Sequence, residues 1–230
     1  MKTTDFDANK KYTFIIPMGA TEQHGPFLPL GTDSFLADKI IQEVENIFPE
    51  MIFLPTIRVT CSEEHAGFLG SIWLTSETMA RVLFDLCHSL SVYAKTIALT
   101  SFHGGNLVLL EKFITEHAKT FPGVQLVHLP MGTGSAEIKI QDLLGGTIDA
   151  HAGNAEISMM LAYDESMAQI PPADYPKRVI EHAFRTNHLK DFSEDGIADN
   201  HPKWIVSREN GRCMTEWIVQ DFLDELRKIL

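Results

Sequence analysis

Residues 12–33 read YTFIIPMGATEQHGPFLPLGTD and place an apolar run directly before a cluster of polar side chains. The apolar run, Tyr12–Met18, predicts a strand that is buried on both faces. A helical pattern follows over residues 33–48, and Thr32 or Asp33 is placed to cap its first turn. This segment therefore predicts the first strand, loop and helix of an α/β fold.

The alternation of strands and helices continues along the rest of the chain. The hydrophobic patterns predict strands at 51–57, 95–101 and 124–129, and helices at 76–93, 107–120, 152–163 and 215–229. Ser76 is the predicted cap of the second helix, and the glycine-rich stretch 132–146 predicts a long loop. This order predicts one three-layer α/β/α domain over residues 1–230, with a mainly parallel central sheet. Because such sheets bind ligands beyond the carboxyl ends of their strands, the polar segments that follow the strands are candidate sites.

The composition excludes several kinds of partner. The chain has 230 residues, a formal net charge of −12 and 44% hydrophobic residues. Nucleic acids and anionic membrane surfaces are bound by basic proteins, so we expect neither as a partner. No stretch approaches the ~20 consecutive apolar residues of a membrane span. The N-terminal segment 1–11 is polar and lacks the apolar core of a secretion signal, which predicts a cytoplasmic protein.

The first candidate cluster follows the first predicted strand and contains Glu22, His24 and Asp33. Residues two apart in an extended segment point to the same side, and Asp33 starts the following helix. Two carboxylates and an imidazole are suitable ligands for Zn²⁺, Mn²⁺ or Fe²⁺. The alternative is that Glu22 and His24 belong to a polar surface loop while Asp33 only caps a helix.

The second cluster, SFHGGN at 101–106, follows the third predicted strand. It places His103 at the carboxyl end of that strand. Gly104 and Gly105 permit a close approach of the backbone to a ligand, and amides at the start of a helix bind anions or carbonyl oxygens. The alternative is a turn that only happens to contain a histidine.

The third cluster, DAHAGNAE at 149–156, contains His151 and Glu156. Three carboxylates gathered in one pocket repel one another unless cations neutralise them, and no Lys or Arg is close to them in sequence. Two divalent cations would more than balance Glu22, Asp33 and Glu156, leaving a formal +1 that one bound hydroxide could cancel, and Asp33 is the candidate bridging ligand. Five other histidines have no ligand-like spacing, and His88 lies within an apolar helix pattern; the five are His117, His128, His182, His188 and His201.

Four segments together resemble the creatininase (creatinine amidohydrolase) family. They are PMGATEQHGPFLPLGTD at 17–33, SEEHAGFLGS at 62–71, SFHGGN at 101–106 and DAHAGNAEIS at 149–158. The first is the most specific, because Glu-x-His followed nine residues later by Asp is the metal-ligand spacing of that family. HPKWIVSRENGR at 201–212 is similar to the less specific tail of the family.

The resemblance implies a binuclear metal site with two divalent ions, Zn²⁺ first and Mn²⁺ or Fe²⁺ as the other candidates. Glu22, Asp33 and His103 would hold one ion, and His24 with the bridging Asp33 would hold the other. Creatininase itself has a glutamate where this chain has Gly105, and we expect Glu156 to supply the missing carboxylate.

The resemblance also implies functional roles around that site. His151 matches the catalytic histidine of the family, and Glu156 is assigned with it to the catalytic residues. The predicted substrate-binding residues are His65, Phe68, Gly104, Gly105 and Asn106. Gly105 and Asn154 depart from the pattern of creatininase, which argues against creatinine itself as the substrate.

These residues predict a metal-dependent amidohydrolase that uses activated water to cleave a C–N bond of a small molecule, namely a cyclic amide or a formamide. The alternatives are a lactone, cyclic ketone or peptide hydrolase on the same two-metal site, or a catalytically silent metal-binding protein. An interaction protein with an acidic surface is a third class. The resemblance further implies a homo-oligomer, often a hexamer in this family.

Overall fold

The computed structural model describes residues 2–132, 134–147, 149–176 and 188–230. Its strands are β1 (Tyr12–Met18), β2 (Met51–Phe53), β3 (Ala94–Ser101), β4 (Gln125–His128), β5 (Asp149–His151) and β6 (Ala198–Asp199). Its helices are α1 (Thr32–Val44), α2 (Ser76–Leu90), α3 (Leu107–His117), α4 (Ser135–Leu143), α5 (Asn154–Tyr163) and α6 (Arg208–Arg227). Short 3-10 turns include Glu63–His65 and Gly104–Asn106.

The central sheet has the strand order β2-β1-β3-β4, and its pairings are parallel. All seven residues of β1 are buried, as expected for a parallel strand that is covered on both faces. Ile15 faces a core formed largely with α1, α5 and α6, whereas Phe14 and Ile16 face a second core that includes α2 and α3. The predicted α/β architecture with helices on both sides of a parallel sheet is therefore confirmed.

The strand order determines where a site can form. From β1 the chain continues to the neighbouring strand β2 at one edge of the sheet, and from β3 it continues to β4 at the opposite edge. The two connections therefore lead in opposite directions from the central pair β1 and β3. Met18 pairs with Ser101 at the carboxyl ends of these two strands. Crevices at this kind of divergence are the usual ligand sites of open α/β sheets. The loops after β1 and β3 meet at that position.

Several predicted boundaries are corrected by the structure. Strand β2 ends at Phe53 rather than at 57, because Pro55 has no N–H to donate to a ladder. The chain nevertheless stays beside β1, since Ile57 donates its N–H to the Pro17 carbonyl at 2.9 Å. Helix α2 is capped by Thr75 rather than Ser76, and the Thr75 hydroxyl accepts the N–H of Thr78.

The predicted caps of α1 were wrong as well. Gly31 occupies the N-cap position, and no side chain caps this helix end. The hydroxyl of Thr32 donates instead to the Pro29 carbonyl at 2.7 Å. Asp33 lies within the first turn and is 2% exposed, so its carboxylate is available to groups in the protein interior.

The long loop predicted at 132–146 was also wrong, because it contains α4. Its glycines flank this helix: Gly134 precedes it with φ 83°, and Gly145 and Gly146 follow it with φ 67° and 80°. Such residues end helices as readily as they form loops. Asp221 of α6 fixes the start of α4 by accepting the N–H of Ala136 at 2.6 Å.

Helix α6 starts at Arg208, earlier than the predicted 215, and Ser207 caps it by accepting the N–H of Asn210. The sequence pattern hid this start because Gly211 interrupts the helical pattern. Gly211 is needed for packing: a Cβ at this position would lie 1.9 Å from the carbonyl oxygen of Ser158 in α5. The missing side chain allows the backbones of α5 and α6 to touch.

Strands β5 and β6 form a separate antiparallel pair that the sequence did not predict. The pair joins the residues before α5 to the segment before α6. Within the described ranges, the structure contains no helix with the length and apolar character needed to cross a bilayer.

Candidate metal centre

The candidate site lies where β1 and β3 end. The loop after β1 carries Glu22 and His24, the first turn of α1 carries Asp33, and the residue before the turn Gly104–Asn106 is His103. These four residues are between 0% and 5% exposed. The structure therefore brings together side chains that are up to 81 positions apart in sequence.

Asp33 lies between two groups of polar side chains. Its Oδ2 is 3.4 Å from His103 Nδ1, which is also 3.3 Å from Glu22 Oε1. Its Oδ1 is 3.4 Å from His24 Nε2. The two oxygens of one carboxylate thus face two different imidazoles, which is the arrangement expected of a ligand shared by two cations.

Glu156 completes the second group. It lies in the first turn of α5, and its Oε1 is 3.8 Å from His24 Nε2. Its other oxygen accepts the N–H of Ala152. Ala152 has φ 54°, a left-handed conformation that non-glycine residues rarely adopt, and strain of this kind is commonly found at functional sites. Glu22, Asp33 and His103, and separately His24, Asp33 and Glu156, each place one ligand atom within 4.8 Å of the others.

Main-chain carbonyls determine which nitrogen of each imidazole faces the cluster. His24 Nδ1 lies 3.1 Å from the Glu22 carbonyl, His103 Nε2 lies 2.7 Å from the Cys61 carbonyl, and His151 Nε2 lies 2.7 Å from the Gln23 carbonyl. A carbonyl only accepts, so each of these nitrogens carries the hydrogen. The opposite nitrogen of each ring then faces the carboxylates, which is how metal-binding histidines are usually oriented.

The carboxylates themselves are short of hydrogen-bond donors. Among the described residues, both oxygens of Glu22, Oδ2 of Asp33 and Nε2 of His24 are buried without a hydrogen-bond partner. Buried polar atoms are almost always satisfied in folded proteins, and a group of buried atoms without partners often marks the place where an ion binds. Oxygen and imidazole donors in this number fit divalent cations.

The electrostatics of the protein without ions support the same conclusion. Burial lowers the pKa of His24, but Asp33 and then Glu156 outweigh it and raise this pKa to about 10. Burial raises the pKa of Asp33, yet His24 and His103 hold it well below its usual range. The carboxylates therefore favour positive charge beside them. When no metal cation is bound, protonated histidine supplies that charge.

His151 differs from the other rings in the site. Burial, followed by the nearby His24 and His65, lowers the pKa of His151 well below its usual value. Its Nδ1 is 3.7 Å from Glu22 Oε1, and the ring is 4.3 Å from that of His24 between centroids. The ring is therefore neutral, and its Nδ1 is the nitrogen that carries no hydrogen.

Sequence reasoning missed two residues at this site, Glu64 and Gln23. Glu64 Oε1 is 3.3 Å from His103 Nε2. Gln23 is 6% exposed, donates from Nε2 to the Gly196 carbonyl at 3.0 Å and lies 2.9 Å from His65 Nδ1. Both stand inside the motifs EQHG and SEEH, so the signal was present. Only the folded chain shows that these side chains point inward.

The predicted substrate-binding residues are distributed around the cluster. His65 is 1% exposed, and its Nε2 is 3.1 Å from Glu22 Oε1, so it contacts a candidate ligand. Phe68 lies under the ammonium group of Lys190, which is 4.4 Å from the ring centroid. Their contacts with a substrate stay predictions.

The turn Gly104–Asn106 contributes in a different way at each position. A Cβ on Gly104 would meet open space, whereas one on Gly105 would lie 2.1 Å from Glu64 Oε1. Asn106 is fully buried; its amide donates to Ser101 Oγ at 3.0 Å and accepts the N–H of Cys61 at 3.1 Å. Asn106 therefore holds the loops together, and contacts of this turn with a substrate stay predictions.

The histidines without ligand-like spacing do not join the cluster where the structure describes them. His88, His117, His128, His188 and His201 belong to none of the metal-compatible groups found among the described residues. His182 lies outside the described residues.

Comparison with known families gives one match over nearly the whole chain. The model of the family described as Creatininase: Creatinine amidohydrolase matches residues 1–226.

Curated relatives align over a shorter part. The "Mycofactocin precursor peptide peptidase" of Mycolicibacterium smegmatis is 28% identical over 152 residues, which cover 64% of this chain and 56% of that protein. The protein of the same name from Mycobacterium tuberculosis is 31% identical over 111 residues, or 44% of each chain. The chain thus spans about half the length of the curated relatives that it matches.

Solved structures of creatininases have the same fold. A crystal structure of creatinine amidohydrolase (creatininase) superposes with a TM-score of 0.75 at 20% identity, over 95% of this chain and 90% of that one. A creatininase described as its Mn form gives a TM-score of 0.74 at 21% identity, over 96% and 92% of the two chains. A mutant creatininase described as a Zn-Zn type gives 0.72 at 21% identity, with the same coverage of 96% and 92%.

Proposed function

Because the chain belongs to the creatinine amidohydrolase family, we propose that it is a metal-dependent hydrolase that cleaves a C–N bond of a small molecule, a cyclic amide or a formamide. One observation carries this proposal: buried carboxylates and imidazoles converge at the carboxyl ends of β1 and β3 with their ligand atoms turned toward one another. Isolated carboxylates are too costly to bury unless they are paired or coordinate a cation.

We infer two cation positions that share Asp33. Glu22, Asp33 and His103 would hold one ion, and His24, Asp33 and Glu156 would hold the other. Zn²⁺ is the first candidate, with Mn²⁺ and Fe²⁺ next, since carboxylate and imidazole donors suit all three. The Zn-Zn and Mn forms of structurally similar creatininases support this choice.

When bound, divalent ions in such a site supply Lewis acidity and lower the pKa of a coordinated water toward neutrality. The protein supplies proton transfer. In hydrolysis, the oxygen of water is added to the carbonyl carbon, the C–N bond breaks and the leaving nitrogen gains a proton. His151 holds its Nε2 hydrogen on the Gln23 carbonyl, so its Nδ1 is the atom that takes the proton and passes it on. Glu156 is assigned with His151 to the catalytic residues, and its Oε1 lies 3.8 Å from His24 Nε2.

Gly104 faces the substrate side in this proposal, whereas Gly105 would contribute only its main chain. The open space beside Gly104 leaves room for the reacting carbonyl, and main-chain amides in this turn would stabilise negative charge on its oxygen. His65 and Phe68 would border the pocket. Creatinine is a poor candidate substrate, because the chain departs from creatininase at Gly105 and Asn154.

Peptide hydrolysis is the second candidate, because the curated relatives are named as peptidases. A peptide bond is also a C–N bond of an amide, so the same groups serve both reactions. Hydrolysis of a lactone or a cyclic ketone on the same metal site would need the same activated water. A catalytically silent protein would bind the ions without turning over any substrate.

A substrate panel separates these candidates. The purified chain is stripped with a chelator, reloaded with Zn²⁺, Mn²⁺ or Fe²⁺, and assayed on cyclic amides, formamides, lactones and short peptides. We expect turnover on an amide or a formamide that disappears on chelation and returns with metal. Tight metal binding without turnover on any member would contradict the enzymatic proposal and favour a silent binding protein.

We also propose that residues 1–230 form one domain and that the protein assembles as a homo-oligomer, with a hexamer as the specific expectation. Light scattering coupled to gel filtration measures the assembly directly. A monomer at all concentrations would contradict it.

A further inference from the structure

The two nitrogens of the His103 ring have different surroundings. Nδ1 faces Glu22 Oε1 at 3.3 Å and Asp33 Oδ2 at 3.4 Å. Nε2 faces away from them, with the Cys61 carbonyl at 2.7 Å and Glu64 Oε1 at 3.3 Å. The Cys61 carbonyl can only accept a hydrogen bond, and an ionised Glu64 carboxylate can only accept as well. The Nε2 hydrogen is therefore donated to the Cys61 carbonyl, and the Glu64 carboxylate lies beside it as a nearby charge.

Glu64 reaches this position because residue 105 has no side chain. A Cβ on Gly105 would lie 2.1 Å from Glu64 Oε1 and 2.3 Å from His103 Nε2. Since nothing in proteins packs that closely, a side chain at position 105 and the Glu64 carboxylate cannot occupy this space together. The carboxylate beside His103 thus comes from the turn Glu63–His65, which follows β2, and not from the loop after β3.

The neighbouring glutamates of that turn separate clearly. Glu63 is exposed, whereas the side chain of Glu64 is only 22% exposed and is directed at His103. Adjacent residues of the same chemistry therefore have different environments, which is expected if one of them has a role at the site and the other is an ordinary surface residue.

We propose that Glu64 is a positioning residue of the metal centre: its carboxylate lies 3.3 Å from His103 Nε2, beside the Cys61 carbonyl that accepts the Nε2 hydrogen at 2.7 Å, and its negative charge keeps the ring in the tautomer whose Nδ1 lone pair is directed at the cation. The inference rests on the proposed function, since it requires His103 to be a ligand. Carboxylate–histidine–metal arrangements of this kind fix the orientation of the ring and raise its basicity.

Glu64 also adds negative charge beside the site. With Glu22, Asp33 and Glu156, it makes four carboxylates there. Among the described residues, no Lys or Arg forms an ion pair with any of them. The negative charge of this set is therefore left for histidines or bound cations to balance.

The test measures zinc affinity, so it does not depend on knowing the substrate. Full-length wild type, Glu64→Gln, Glu64→Ala and the matched control Glu63→Ala are stripped of metal and titrated with Zn²⁺ against a chromogenic chelator. Loss of an outer carboxylate partner typically weakens metal binding by about 10- to 100-fold. We expect that loss for Glu64→Ala, a smaller one for Glu64→Gln because the amide oxygen keeps a partial negative charge beside the Nε2 hydrogen, and wild-type affinity for Glu63→Ala.

Two further readouts separate positioning from other roles. The thermal midpoint of each metal-free variant shows whether it folds, and a purely structural role for Glu64 would lower this midpoint while leaving zinc affinity intact. The number of zinc ions bound at saturation should stay at the wild-type value in both Glu64 variants. A lower number would make Glu64 a direct ligand and overturn the positioning role.

Equal zinc affinity in Glu64→Ala and Glu63→Ala would likewise overturn the inference and leave the proposed function standing. A wild-type protein that binds no zinc would remove both.

Discussion

Replacement of Asp33 by Asn should release both cations, because this one carboxylate faces both halves of the site. Asp33 is 2% exposed, with Oδ1 3.4 Å from His24 Nε2 and Oδ2 3.4 Å from His103 Nδ1. Asn keeps the shape but loses the charge and one ligand oxygen. Removing one member of a buried charge pair costs about 3–5 kcal/mol. At ~1.4 kcal/mol per tenfold change, affinity for each ion should fall by roughly a hundredfold to a few thousandfold.

The assay for Asp33→Asn combines elemental analysis of the purified protein with chelator competition. Asp38→Asn is the matched control, since Asp38 lies on the same helix and pairs with the exposed Arg58 away from the site. We expect fewer than one ion per chain in Asp33→Asn and wild-type content in the control. Two ions retained per chain with unchanged affinity would refute the bridging role of Asp33. Loss of one ion only would show that Asp33 serves a single ion.

Two other substitutions address the catalytic role and the fold. His151→Ala should lower kcat by about 10²–10⁴-fold, which is the usual contribution of a positioned acid–base group, and should leave the metal content unchanged. The control is His88→Ala, because His88 is exposed. Equal activity in the two variants would exclude His151 from the mechanism. Gly211→Ala should destabilise the protein by about 1–3 kcal/mol, because its Cβ would meet the Ser158 carbonyl at 1.9 Å and force α5 and α6 apart. Gly31→Ala is the control, because its Cβ would meet nothing within 4 Å, and it should unfold within about 2 °C of wild type. A thermal unfolding midpoint of Gly211→Ala as high as that of this control would contradict the packing argument.

The fold was largely predictable because its signals are local. The buried run Tyr12–Met18 and the alternation that follows it are typical of a parallel sheet with covering helices. The errors occurred where tertiary contacts outweigh local preference. Gly211 looked like a helix breaker, but it permits two helix backbones to touch, and the glycines around α4 end that helix instead of forming a loop.

The candidate ligands were predictable for a different reason. Glu22, His24, Asp33, His103 and Glu156 follow strands or open helices, and the carboxyl ends of parallel strands share one edge of the sheet. The convergence of Glu22, His24, Asp33 and His103 follows from topology once the strands are recognised. Glu156 is different, because it opens α5 after β5, which belongs to the separate antiparallel pair.

Glu64 and Gln23 could not be identified in the same way, because their roles depend on side-chain direction within irregular loops. No periodicity indicates that Glu64 points inward and Glu63 outward. The space that Glu64 occupies exists only because Gly105, more than 40 residues further along the chain, has no Cβ. Pairings of this kind appear only when the loops after β2 and β3 are placed together.

Anomalous X-ray scattering from crystals of the metal-loaded protein tests the central claim most directly. The account predicts two peaks per chain, one among Glu22, Asp33 and His103 and the other among His24, Asp33 and Glu156. Crystals of fully loaded protein without an anomalous peak at Asp33, or with metal bound only elsewhere on the surface, would contradict it.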